Sequence, residues 1–206
     1  MYQLYCAPNT YAMGAHVLLE EIGVDFELIE VALFSADPLD DFVEASPHAR
    51  VPALRHRHGT VFESGAIALY LTDAHADKGF GVVADHHDRA RYLQWLFYLS
   101  STVQPEVLIQ FHPESYFDDP VLQRALTNAS MKKLDTIWQN LNGAYENGPY
   151  VFGHRPTAVD FCLAIQIQWP ECFTNGISQY PNLERMLDTI SNRDAYVRAM
   201  QWHRKS

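Results

Sequence analysis

Basic side chains are scarce in this sequence. Its 206 residues carry 15 Lys and Arg against 25 Asp and Glu, a formal net charge of −10. Binding a phosphate backbone requires a basic face that displaces counterions. No Lys/Arg cluster of useful size is present, which excludes nucleic acid as a partner. Cysteine is sparse too. Cys6, Cys162 and Cys172 are odd in number and far apart, and no C-x-x-C occurs, so a zinc knuckle and a dithiol redox pair are both excluded. Free thiols fit a cytoplasmic chain. No stretch approaches the roughly 18–20 apolar residues of a membrane span, so no membrane partner is expected. Met1-Tyr2-Gln3-Leu4-Tyr5 lacks the basic start and long apolar run of a signal peptide. What is present is apolar: 48% hydrophobic and 13% aromatic residues with only 19% charged, which excludes disorder and suffices for one large core or two small ones.

Charge divides unevenly. Residues 1–78 hold 12 acids and 4 bases, whereas residues 79–206 hold 13 and 11. That asymmetry hints at two units, although ordinary solubility explains it as well. The periodicity changes at the same place. Tyr2 to Cys6 is β-prone and ends at Pro8-Asn9. Met13 with Val17 and Leu18 with Ile22 follow helical spacing until Gly23 stops them. Phe26 to Val31 reads as a second strand, which makes a right-handed βαβ crossover. After Pro38 a short acidic helix spans Leu39 to Ala45. Val51-Pro52-Ala53-Leu54 and Thr60-Val61-Phe62 bracket Arg55 to Gly59 as a hairpin. Ser64 opens a helix with Ile67, Leu71 and Ala74 on one face. From Asp85 onward strand signals vanish, and residues 88–110, 120–142, 157–168 and 181–200 read as helices. The expected organisation is an α/β domain over 1–78, a linker from Asp77 to Ala84, and an all-helical domain over 85–206. Pro105 should kink the long helix. Thr157-Ala158-Val159-Asp160 reads as a capping box with a folding role.

Taken together, Ser46-Pro47-His48-Ala49-Arg50-Val51-Pro52-Ala53-Leu54 and Phe62-Glu63-Ser64-Gly65-Ala66-Ile67, placed after a βαβ unit, resemble the cytosolic glutathione transferases of bacterial type. The resemblance covers essentially the whole chain. It implies a thioredoxin-like amino-terminal domain, a helical carboxy-terminal domain, and glutathione as co-substrate. The physical chemistry of these residues agrees with it. An X-Pro bond tolerates the cis form, and a cis Val51-Pro52 would turn the Val51 backbone outward to pair with an extended peptide. Ser64, read as a helix N-cap, sits where free amides favour a carboxylate, and Glu63 is suited to an ammonium. The pair thus matches the zwitterionic γ-glutamyl end of glutathione. Arg50, with His48 assisting, could meet the glycyl carboxylate; a solvated loop charge is the plainer alternative.

A thiol with a pKa of roughly 8.5 is a poor nucleophile until ionised. The donor to its anion belongs between the first strand and first helix, in Pro8-Asn9-Thr10-Tyr11-Ala12. Relatives with a serine there have it at the position of Thr10, and the beta class has a cysteine at the position of Tyr11. The histidine of that class falls on Gln104, so both beta-class hallmarks are missing. The candidate order is Thr10, Tyr11, Asn9, then Tyr5. Thr10 can equally be a helix cap, and Cys6 reads as core. His56-x-His58 has no acidic or cysteine partner, so no metal is expected.

Three readings stay open: a transferase acting on a small hydrophobic electrophile in detoxification, a glutathione-dependent disulfide reductase or peroxidase, and a non-catalytic glutathione-binding protein. Trp95-Leu96-Phe97-Tyr98-Leu99 is too apolar for a helix with a solvated face. A homodimer is therefore expected.

Overall fold

The computed structural model describes residues 1–33, 35 and 39–204. A four-stranded sheet carries the amino-terminal part, with β1 (Tyr2–Cys6), β2 (Phe26–Glu30), β3 (Ala53–His56) and β4 (Gly59–Phe62) in the order β2-β1-β3-β4. β1 and β2 are parallel, and β3 is antiparallel to both β1 and β4. The parallel pair is joined through α1 (Ala12–Ile22), which ends where the Gly23 amide bonds the Leu19 carbonyl at φ 71°. α2 (Asp40–Ala45) covers the other sheet face, burying Phe42 and Ala45 beside Tyr5, Val31 and Ala53. Pro38, expected just before this helix, lies outside the described residues. α3 (Ser64–Ala74) follows the hairpin. Fold class and architecture are those the sequence implies: a thioredoxin-like α/β unit joined to helices.

The helical part comprises α4 (Arg89–Tyr98), α5 (Gln104–Phe111), α6 (Pro120–Ala144), α7 (Ala158–Ile167), α8 (Pro181–Ser191) and α9 (Asp194–His203). The interruption expected at Pro105 is a π-turn, Leu99–Val103, between α4 and α5. A proline lacks the amide that would close an α-turn, and its ring crowds the carbonyl four residues back. The backbone widens instead, with the Gln104 amide bonding the Leu99 carbonyl five residues back.

Four local expectations are corrected. The helix expected over 181–200 is two helices, broken at Asn192-Arg193, where Asn192 Nδ2 donates to the Asp188 carbonyl at 2.7 Å and Arg193 turns to Glu21. The strands of the hairpin extend into the expected Arg55–Gly59 loop and leave Arg57-His58 as the turn. Ala74, expected on the apolar face of α3, is exposed because that helix frays into a turn at Ala76–Lys78. Ser64 is the first residue of α3 rather than its N-cap; that position is Glu63, whose φ of 72° ends the strand.

α7 is the hub of the helical part. Phe161, Leu163, Ala164, Ile165 and Ile167 are all buried. Its first turn is fixed by the capping box. The Asp160 carboxylate accepts from the Thr157 amide and hydroxyl, the Val151 amide and the Tyr145 hydroxyl, at 2.6–2.9 Å. Burial raises the carboxyl pKa, and these four donors oppose that shift.

α1 is the layer between the two parts. Nine of its eleven residues are buried. Its two others, Glu20 and Glu21, pair with Arg198 and Arg193 at 2.8 and 2.7 Å. Beneath them His16 Nδ1 meets His203 Nε2 at 3.2 Å, both rings buried. Burial depresses His16 to about 4, with Glu20 opposing, and burial plus His16 depresses His203 to about 3. Both imidazoles are thus neutral in the folded chain, whereas in the unfolded chain they titrate near 6.5. The unfolded state then binds more protons between about pH 6.5 and 4, so this contribution is complete above that window and lost as pH falls through it. Urea midpoints are expected to decline from pH 7 to pH 5, and His203→Gln should roughly halve the slope by leaving one such histidine. An unchanged slope would show that other groups set it.

Candidate functional site

Strand register brings three separated segments to one edge of the sheet. Tyr5 pairs with Ala53, and Ala53 pairs with Phe62. The end of β1, the residues before β3 and the residues after β4 therefore lie side by side. These are the loop Ala7 to Tyr11, Val51-Pro52, and Glu63-Ser64. The Val51-Pro52 peptide is cis. Among the described residues, the Val51 amide and carbonyl make no hydrogen bond. The turn leading to it is fixed by Ser46, whose buried hydroxyl donates to the Arg50 carbonyl at 2.8 Å and accepts from the Arg50 amide at 3.1 Å.

Each candidate has a definite environment. The Thr10 hydroxyl donates to the Ala7 carbonyl at 2.7 Å and accepts from the Ala12 amide at 3.3 Å, so its proton is held within the loop. The Tyr11 hydroxyl donates to the Gln104 carbonyl at 3.5 Å, and burial pushes it well above the ordinary tyrosine value. It is a donor and never a base near neutrality. The Ser64 hydroxyl donates to Gln104 Oε1 at 3.0 Å. Asn9 has φ 55° and an exposed side chain. The side chains of Asn9, His48, Arg50 and Glu63 are all exposed, with no hydrogen bond or ion pair to another described residue. Tyr5 stands apart. Its ring is buried against Phe42 on the α2 side, and its hydroxyl is buried without a partner among the described residues.

Tyr11 and Ser64 thus meet at Gln104, the first residue of α5, while the Thr10 hydroxyl stays within its own loop. Gly65 makes that meeting possible: a Cβ there would stand 3.1 Å from Ser100 Oγ in the π-turn, so the start of α3 presses closely on it. Beyond Tyr11 lies an aromatic wall. Trp169 packs edge-on to Tyr11 at 5.4 Å, and Phe111 edge-on to Trp169 at 5.5 Å. Sequence reasoning did not include Trp169, Phe111 or a contact role for Gln104. The one available signal was that a family histidine falls on Gln104.

Burial pushes each of the three thiols, Cys6, Cys162 and Cys172, up to about 12. None is a nucleophile near neutrality. Among the described residues, one grouping has metal-ligand spacing, His86, His87 and Asp88, with ligand atoms within 4.8 Å and both histidines exposed. No helix among the described residues is long and apolar enough to cross a membrane.

A two-domain chain with a thioredoxin-like sheet, a cis proline at its edge and a helical layer beyond defines the class. Residues 1–73 match the family model of the glutathione S-transferase N-terminal domain, and residues 105–194 that of the C-terminal domain. The chain belongs to the glutathione S-transferase family and is a glutathione transferase by class. It is 27% identical to the glutathione S-transferase GstA of Escherichia coli O157:H7, over 93% of each chain. It is 26% identical to the disulfide-bond oxidoreductase YfcG of Escherichia coli strain K12, over 97% of this chain and 94% of that one. It superposes on BphK, a bacterial glutathione transferase solved as a ternary complex, with a TM-score of 0.87 and 25% identity over 98% of both chains.

Proposed function

We propose that this chain binds glutathione at the sheet edge, ionises its thiol and delivers the thiolate to a small hydrophobic electrophile. The observation that carries this reading is the convergence of the Thr10 loop, Val51-Pro52 and Glu63-Ser64 beside an aromatic wall. The free Val51 backbone suits the cysteinyl residue of an extended peptide. Glu63 supplies an acceptor for the γ-glutamyl ammonium, and Ser64 with the first amides of α3 supplies donors for its carboxylate. Arg50, with His48 assisting, would meet the glycyl carboxylate. The catalytic role rests with Thr10, then Tyr11, with Asn9 beside them. To donate to sulfur the Thr10 hydroxyl exchanges the Ala7 carbonyl for the thiolate, a change of partner that a rotation about one bond achieves. Residues 1–78 would form the glutathione-binding unit and 85–206 the helical unit, in a detoxifying enzyme of the cytoplasm. Its own residues need no metal for these steps.

A second reading draws on the similarity to YfcG. A bound glutathione thiolate attacks a disulfide, giving a mixed disulfide and a free thiol; a second glutathione then releases the other thiol and leaves glutathione disulfide. The buried, high-pKa cysteines keep the chain's own thiols out of that sequence. Parallel assays with an aryl halide, a hydroperoxide and a small disulfide separate the two readings, and activity in none leaves a binding protein.

The dimer belongs to the same proposal. Within Trp95 to Leu99, Leu96 and Leu99 are buried, yet Phe97 is 62% exposed. A second copy would cover it.

Three outcomes are expected. Glu63→Ala should weaken glutathione binding about ten-fold or more, the usual size of a charge-assisted contact; an unchanged dissociation constant would refute the γ-glutamyl assignment. Thr10→Ala should raise the pKa of bound glutathione and lower turnover while sparing affinity, with Thr10→Ser retaining most activity. A larger loss on Tyr11→Phe moves the role to Tyr11. Sedimentation at low micromolar concentration should show a dimer, and a single species near 23.6 kDa rules it out.

A further inference from the structure

We propose that Gln104 is a positioning residue for the γ-glutamyl carboxylate of glutathione, acting through the Ser64 hydroxyl and reporting on which end of that hydroxyl is free. The inference rests on the reading of Ser64 given above and deepens it.

The contact is built rather than incidental. Gln104 follows the π-turn, its amide held by the Leu99 carbonyl, and Pro105 after it has no amide to compete. Its carbonyl takes the Tyr11 hydroxyl, and the close approach of Gly65 to Ser100 holds the start of α3 against the same turn. Two independent contacts therefore fix the backbone on either side of a side chain that meets Ser64 Oγ at 3.0 Å. Among the described residues Gln104 Nε2 has no acceptor of its own.

An amide is the group this position needs, because it can present either a donor or an acceptor to one neighbour. In the ligand-free chain Ser64 spends its proton on Oε1. When a carboxylate arrives at the first turn of α3, that proton is needed by the ligand. Turning the amide over about its last side-chain bond puts Nε2 where Oε1 stood. Nε2–H then donates to Ser64 Oγ, and Oγ–H donates to the carboxylate, a chain in which each bond polarises the next. A glutamate at 104 has no such second state. It keeps the serine proton and adds a negative charge beside the one being bound. A histidine, with one donor and one acceptor nitrogen, retains the ability to switch.

The test measures glutathione affinity by calorimetry for Gln104→Met, Gln104→Glu and Gln104→His, the first also in a Ser64→Ala background, with Glu63→Ala and Ser64→Ala as controls. Gln104→Met should weaken binding roughly five- to ten-fold and Gln104→Glu about thirty-fold or more, while Gln104→His stays within about three-fold of the parent. In the Ser64→Ala background the methionine substitution should cost no further affinity, since its effect passes through the missing hydroxyl. The γ-glutamyl α-carboxamide analogue of glutathione should bind Gln104→Glu at least as well as it binds the parent. If Gln104→Met costs as much without the Ser64 hydroxyl as with it, Gln104 acts by packing and the proposal fails. It also fails if Gln104→Glu binds glutathione like the parent while Glu63→Ala does not, and the reading of the site then survives. If neither Glu63→Ala nor Ser64→Ala alters affinity, the reading itself is wrong and this inference falls with it.

Discussion

Burial of α1 on both sides is the constraint on which the remaining arrangement depends. A helix with nine of eleven residues removed from water gains on the order of 1.5–3 kcal/mol for each large aliphatic side chain it hides. It can do so only if a sheet lies on one side and helices on the other. Neither layer alone provides that. The loop that feeds the helix, Ala7 to Tyr11, is thereby anchored at its far end by the core of both parts. Its near end is anchored by β1. A loop held so firmly can keep a hydroxyl and a line of backbone amides at the sheet edge without side-chain packing of its own. The two carboxylates of α1 are taken by Arg198 of the last helix and by Arg193 just before it, and its one buried imidazole by another. Little of its surface is left to water.

The polar interior follows the same logic. Asp160 is fully buried and pairs with no cation among the described residues, yet four donors from three stretches of chain converge on it. Removing its carboxylate would strand those donors, each at roughly 1–3 kcal/mol. The carboxylate thus ties the loop Tyr145 to Thr157 to the first turn of α7, which lies against α1. The folding role expected of the capping box extends to the packing of the layer that carries the site.

Local signals were legible where local physics decides. Gly23 ends α1 because a left-handed residue is needed there, and the hairpin and its flanking Val51-Pro52 and Glu63-Ser64 were visible as pattern and composition. What escaped was decided at long range. The break at Asn192-Arg193 has neither glycine nor proline to announce it, and the pair that draws Arg193 away lies 172 residues back. Ser64 looked like a helix cap by residue type, but its hydroxyl turns to a residue 40 positions on. Thr10 stays local, its hydroxyl donating three residues back to Ala7 and accepting from the Ala12 amide at the start of α1. Trp169 joins the site only because α7 ends beside α1, which no window of sequence records.

The π-turn also makes local chain length a determinant of chemistry. A single wide turn stores one residue beyond what an α-helix would use, and each residue of an α-helix advances the direction by about 100°. Segments on either side are therefore out of phase with the pattern that an uninterrupted helix would give. Closing Leu99–Val103 into regular α-turns with every residue kept would rotate everything after it by roughly a quarter turn or more. Gln104 would swing off the serine, and the aromatic face containing Phe111 would swing with it. Two chains with every site residue in common, one holding this turn wide and the other closing it, would present different side chains to the same ligand.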